Sequence, residues 1–195
     1  MMSRSKTLRL DVLKIEVFEQ ELERVRSRNR SLQLIKSTVS VIIVVAAAAV
    51  LLATMVFPVL RIYGTSMTPT LNEGDIVVSV KGTNLKRGDV IVFYYNNKIL
   101  CKRLIGKPGD WIDIDKNGNV SVNNVQLDEP YLPEKALGDC NIELPYQVPE
   151  NRYFVMGDHR SVSVDSRNTQ IGCISEEQIV GRIIFSILPF HSINK

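Results

Sequence analysis

Histidine is scarce in this chain, with two residues, and cysteine is hardly commoner, with three. Neither type shows metal-ligand spacing and no glycine-rich phosphate loop is present, so chemistry that depends on a metal or a nucleotide has no ligands and no cofactor is expected. Cys101, Cys140 and Cys173 are odd in number, which leaves at least one free or paired between chains; a bridge from Cys140 to Cys173 is one option, and the sequence leaves the pairing open. Charge is missing altogether from residues 37–60, "STVSVIIVVAAAAVLLATMVFPVL", a run of 24.

As a helix that run would be roughly 36 Å long at its usual rise, enough to cross a hydrocarbon core of about 30 Å with some tilt. A cleaved signal peptide would have a short charged region and an A-x-A-like site after the apolar part. Here 36 mixed-charge residues come first and "VFPVLRIYG" offers no such site, so an uncleaved single-pass anchor is expected. Residues 1–36 hold nine Lys/Arg against five Asp/Glu, whereas 61–195 hold fifteen against sixteen. The basic excess places the N-terminus in the cytoplasm and residues 61–195 outside it. A nucleic-acid surface would need a basic footprint on a whole domain, which is absent beyond the anchor. Within 1–36, Leu8, Val12, Ile15, Leu22, Val25 and Leu32 recur at helical spacing, which predicts a cytoplasmic amphipathic helix able to self-associate through residues 8–32 or to lie on the bilayer.

After residue 60 the periodicity shortens to β-branched and aromatic runs: "DIVVSV", "DVIVFYY", "KILCKRLIG", "WIDID", "NVSVNNVQ", "RYFVMGD" and "IVGRIIFSIL". These predict an all-β domain over 61–195, with Gly-Asp turns at 74–75, 88–89, 109–110 and 157–158. Residues near 117–150 are richer in Asn, Pro and acids, which suggests a smaller insertion whose role the sequence does not disclose.

A reactive serine needs a base. His191 sits four residues from the end of the chain, while His159 lies in a polar segment after a strand, "GDHRSVSVDSR". A lysine serves as well if burial keeps its amine neutral. Strand alternation puts Leu100, Lys102 and Leu104 on one face and Cys101, Arg103 and Ile105 on the other. A lysine between two leucines is either such a base or a strand lysine whose charged head reaches solvent.

The segments "SMTPTL", "KRGDVIVF", "KRLIGKPGD" and "GDHRSVSVDSR" occur in the order and wording of the membrane-anchored bacterial type I signal peptidases, or leader peptidases, and the chain resembles that family, in its Gram-positive-like form, across the anchor and essentially all of 61–195. The resemblance implies a mainly β catalytic domain with a smaller β-rich insertion. It implies a Ser-Lys dyad in which Ser66 is the nucleophile and Lys102 the general base. It further implies that Ser163 orients the lysine amine, that Asp165 and Arg167 form a supporting ion pair, and that Ile62, Tyr63, Gly64, Met67 and Leu100 line a substrate groove. The substrates implied are secreted precursors bearing signal peptides, cut after small Ala-x-Ala-like sites at the cell membrane. Gly64 stands where some members carry a second serine for the oxyanion hole, and His159 stands where an asparagine is usual.

Three other readings bear on the same residues. Self-cleaving repressors resemble this dyad but carry no anchor. A specialised peptidase for pilins, conjugation or surface proteins would share every motif. A non-catalytic membrane adaptor would have no reason to keep Ser66, Lys102 and Ser163 together.

Overall fold

A computed structural model of the chain describes residues 3–82 and 84–193, with side chains described for Arg24 and from residue 26 onward, those of His191 and Ser192 excepted. The chain divides between Ala53 and Thr54 into two compact units. One helix, α1 (Ser3–Val56, 54 residues), makes up the first and runs three residues into the second. Its apolar window within Arg26–Val56 reaches a mean hydropathy of 2.8, and Val41, Ile42, Ile43, Val44, Leu51 and Leu52 are all exposed. A helix apolar all round, not along one stripe, suits surroundings that are themselves apolar. The expected seam of Leu8, Val12, Ile15, Leu22 and Val25 falls on side chains outside the described residues.

The helix stops at Val56, short of the expected end of the anchor at residue 60. Pro58 has no N–H to continue it. The Pro58 carbonyl instead accepts a hydrogen bond of 2.9 Å from the Ser79 N–H. Val59–Arg61, apolar enough to read as the tail of the anchor, form strand β1.

The remaining strands are β2 (Ile76–Val80), β3 (Val90–Tyr95), β4 (Lys98–Gly106), β5 (Trp111–Ile114), β6 (Val120–Val122), β7 (Val125–Gln126), β8 (Tyr146–Gln147), β9 (Arg152–Met156), β10 (Ile174–Ser175), β11 (Ile179–Leu188) and β12 (His191–Ser192). A large antiparallel sheet runs β1-β2-β11-β3-β4-β9-β10 with β12 on β11, and a small one runs β7-β6-β5-β8. The fold is mainly β, as expected. The small sheet starts at Trp111, six residues before the compositional shift at 117, because Ile112 and Ile114 pair with Val122 and Val120 and turn their side chains into its core.

Alternation on β3 sorts the core of the large sheet. Val90 and Val92 pack with Ile62, Met67, Leu71, Val77 and Ile183, while Ile91 and Phe93 pack with Leu85, Leu104, Val155 and Ile174. Three of the four Gly-Asp pairs are turns in which glycine takes a positive φ, at Gly74, Gly88 and Gly109. Gly157 does not, and its reason for being glycine lies in the site.

Candidate active site

β1 delivers Ile62, Tyr63 and Gly64 to a turn that carries Ser66. Gly64 has φ +83° and open space where a side chain would begin, so backbone conformation, not crowding, excludes other residues there. Within the turn the Thr65 carbonyl accepts from the Thr68 N–H at 3.2 Å, and the Met67 carbonyl accepts from the Leu71 N–H at 2.9 Å. The Ser66 carbonyl accepts from the His159 N–H at 3.0 Å. Among the described residues the Ser66 N–H has no hydrogen-bond partner.

β4 brings Lys102 against this turn. Its Nζ lies 2.6 Å from Ser66 Oγ, and the residue is 4% exposed. The register pairs Lys102 with Ile91 and Leu100 with Phe93, so the lysine shares the face of the leucines, as alternation predicted. Burial is the largest influence on its amine and holds the pKa below the ordinary lysine value of 10.5, against a smaller upward pull from Asp165. No carboxylate forms an ion pair with it among the described residues. His159, the rival base, contacts Thr68 Oγ1 through Nδ1 at 3.0 Å, and among the described residues its ring makes no hydrogen bond to Ser66. The side chain of His191 lies outside the described residues.

Asp165 and Arg167 form a fully buried pair, with Nε to Oδ1 and Nη2 to Oδ2 both at 2.8 Å. Burial alone would raise the Asp165 pKa, but the Arg167 guanidinium and the Gly157 N–H outweigh it and hold the carboxyl below its ordinary value. Ser163 is buried, and among the described residues its Oγ meets no hydrogen-bond geometry with Lys102 or any other group; its effect on Asp165 is the weakest of those lowering that pKa. Gly157 lies between these parts: a β-carbon there would collide with Ser163 Oγ and with the Ser66 carbonyl. It is a glycine for space.

Two further buried ion pairs were invisible to the sequence reading. Arg103, next to the lysine, donates from Nε and Nη2 to Asp158 at 2.8 and 2.5 Å, and its guanidinium sits 3.8 Å over the Tyr131 ring. Arg160 pairs with Glu129, which also accepts from the Tyr131 hydroxyl at 2.7 Å. Glu129 and Tyr131 belong to the stretch between β7 and β8, so that stretch braces the loop that carries His159 and Ser163. The local signals were an arginine inside a strand and an aspartate after Gly157; neither names its partner, and Glu129 carries no signal at all.

Ser66 and Lys102 open onto a cleft of about 620 Å³ that is also lined by Ile62, Tyr63, Gly64, Met67 and Leu100, so all five expected groove residues share one cavity. Cys101 lines it too, a free thiol pushed up to about 12 by burial. Cys140 and Cys173 are also free. Met67 is 2% exposed and serves core and cleft together. Two strand edges border the cavity. Among the described residues β1 pairs only with β2, and β4 pairs with β9 only from Arg103 onward, which leaves the Lys98–Lys102 edge open on that side.

With that geometry established, comparison with known proteins identifies relatives. The family model "Signal peptidase, peptidase S26" matches residues 34–188. The chain is 36% identical over 167 residues to a signal peptidase I of Bacillus amyloliquefaciens, a match covering 79% of this chain and 86% of the relative. It is 39% identical over 149 residues to signal peptidase IB of Staphylococcus aureus (strain COL), covering 66% and 76%. A crystal structure of a signal peptidase I from Enterococcus faecalis V583 is 28% identical and covers 51% of this chain and 97% of its own, with a TM-score of 0.42. The extent of the family match, from the end of the charged N-terminal segment through β11, leaves one assignment: the chain belongs to the signal peptidase family, peptidase S26.

Proposed function

We infer that this chain removes signal peptides from secreted precursors by a Ser-Lys mechanism, with Ser66 as nucleophile and Lys102 as general base. The observation that carries the reading is the 2.6 Å contact between Ser66 Oγ and an amine that burial holds below its ordinary pKa. Neutral Nζ takes the hydroxyl proton as Oγ bonds to the scissile carbonyl carbon. The unpartnered Ser66 N–H faces the developing oxyanion, where one such donor typically lowers the barrier by about 3–4 kcal/mol. Nζ then passes its proton to the departing amine, the C–N bond breaks, and an acyl-enzyme remains. Water deprotonated by the same amine adds to the ester carbonyl and releases Ser66. Ser163, whose buried Oγ has no hydrogen-bond partner among the described residues, is the acceptor that steadies Nζ while it holds the proton.

The precursor binds as an extended strand between the open edges of β1 and of Lys98–Lys102, donating to and accepting from their backbone. Ile62, Met67, Leu100 and Cys101 give the cleft shallow apolar walls, which suits small side chains on alternate positions of that strand. The uncharged part of helix α1, from Ser37 to Val56, is the membrane anchor, with the N-terminus cytoplasmic and the β domain outside. Ser66 follows Val56, the last helical residue, by ten positions in the chain.

The test is cleavage of a precursor reconstituted in vesicles with the full chain, comparing wild type with Ser66→Ala and Lys102→Ala, each checked for folding. The reading requires both variants to lose cleavage. A Lys102→Ala enzyme that still cuts at neutral pH contradicts it.

A further inference from the structure

Thr68 and His159 flank the Ser66 turn, and the dyad chemistry uses neither side chain. Thr68 Oγ1 lies 2.8 Å from the Thr65 carbonyl oxygen and 3.0 Å from His159 Nδ1. A threonine hydroxyl carries one hydrogen, and a carbonyl oxygen has none to give. The shorter contact therefore takes the hydroxyl hydrogen, and at the longer one Oγ1 can only accept. His159 Nδ1 must then carry a hydrogen, which leaves Nε2 bare in the neutral ring. The main-chain N–H of the same residue donates to the Ser66 carbonyl at 3.0 Å. One residue thus holds the turn twice, at position 66 through its backbone and at position 68 through its ring.

We propose that His159 is a positioning residue for the reaction: its Nδ1–H, bonded to Thr68 Oγ1, latches residues 65–68 so that Ser66 Oγ stays within reach of Lys102 Nζ. The proposal rests on the Ser-Lys reading of the site. Nδ1 donates in the neutral ring and in the imidazolium alike, so the latch does not need one protonation state. An asparagine at 159 would offer an equivalent donor through its side-chain amide, whereas a phenylalanine would offer none. Neither Thr68 nor His159 lines the cleft, so the latch acts on turnover and not on substrate affinity.

The experiment uses the full chain in nanodiscs with its histidine rings labelled with nitrogen-15, the His159 signals being assigned by their loss in His159→Asn. In spectra recorded at alkaline pH, where imidazole is neutral, the expected result is a His159 ring protonated on Nδ1, the less common tautomer of free imidazole. Thr68→Val keeps the shape and removes the hydroxyl with both of its hydrogen bonds; it should return the ring to Nε2–H and lower kcat for precursor cleavage roughly three- to tenfold, with KM changed less than about twofold. His159→Asn should retain more of kcat than His159→Phe. A wild-type ring protonated on Nε2, or a folded Thr68→Val enzyme with wild-type kcat, overturns the latch. The tautomer is read without any turnover, so a wild type that cuts no precursor would count against the dyad and leave the latch decided on its own signal.

Discussion

Lys102 and Arg103 are consecutive basic residues on β4, each 4% exposed, and they meet opposite fates on the two sides of one strand. Toward the cleft, burial dominates at Lys102 and depresses its pKa. Toward the ion-paired bed, burial would likewise depress Arg103, but the bidentate bond to Asp158 outweighs it and raises the pKa. The difference lies in who holds the carboxylates. Arg103, Arg160 and Arg167 occupy Asp158, Glu129 and Asp165, the buried carboxylates around the site, and Lys102 is left with a serine hydroxyl. Burial makes a lysine reactive only where the neighbouring acids are already taken.

The comparison can be broken most severely at the lysine itself. Lys102→Arg keeps a donor at that position but places there a cation that cannot become neutral, so cleavage of reconstituted precursor should fall by about 10²–10⁴, the usual worth of a general base. The next effect is on the bed. Asp165→Asn leaves Arg167 buried without its counter-charge and should cost about 3–5 kcal/mol in denaturant unfolding, an effect the cleft-side variants do not share.

The smallest effect has the opposite sign. Below 10.5, the ordinary lysine value, the unfolded chain protonates Lys102 while the folded chain resists the proton, so this residue lowers stability near neutrality; the deficit shrinks as pH rises from the depressed folded value toward 10.5. Lys102→Met should therefore be more stable than wild type at neutral pH by roughly 1 kcal/mol and should lack that rise with pH, as thermal unfolding can measure.

The same contrast explains what could be read in advance. Strand runs bounded by turn residues fixed most of the large sheet, and alternation put Lys102 between two leucines, because those patterns depend on neighbours in sequence. The end of the helix at Val56 was missed because a short apolar run does not distinguish a helix tail from a strand, and Val59–Arg61 became β1. Gly157 read as a turn glycine, although what forbids a side chain there is Ser163, six residues on, together with the Ser66 carbonyl, which is distant in sequence. Glu129, Tyr131 and Thr68 were illegible for the same reason: each acquires its role from a partner some 30 to 90 residues away.

The most direct test of the central claim, that a neutral Lys102 is the base, is the pH dependence of kcat/KM for precursor cleavage by the full chain in vesicles. Activity should fall as pH is lowered through the folded pKa of Lys102, with a midpoint clearly below 10.5, and the same midpoint should persist in His159→Asn. A limb at the ordinary lysine value, or one that disappears with the histidine, would contradict the account.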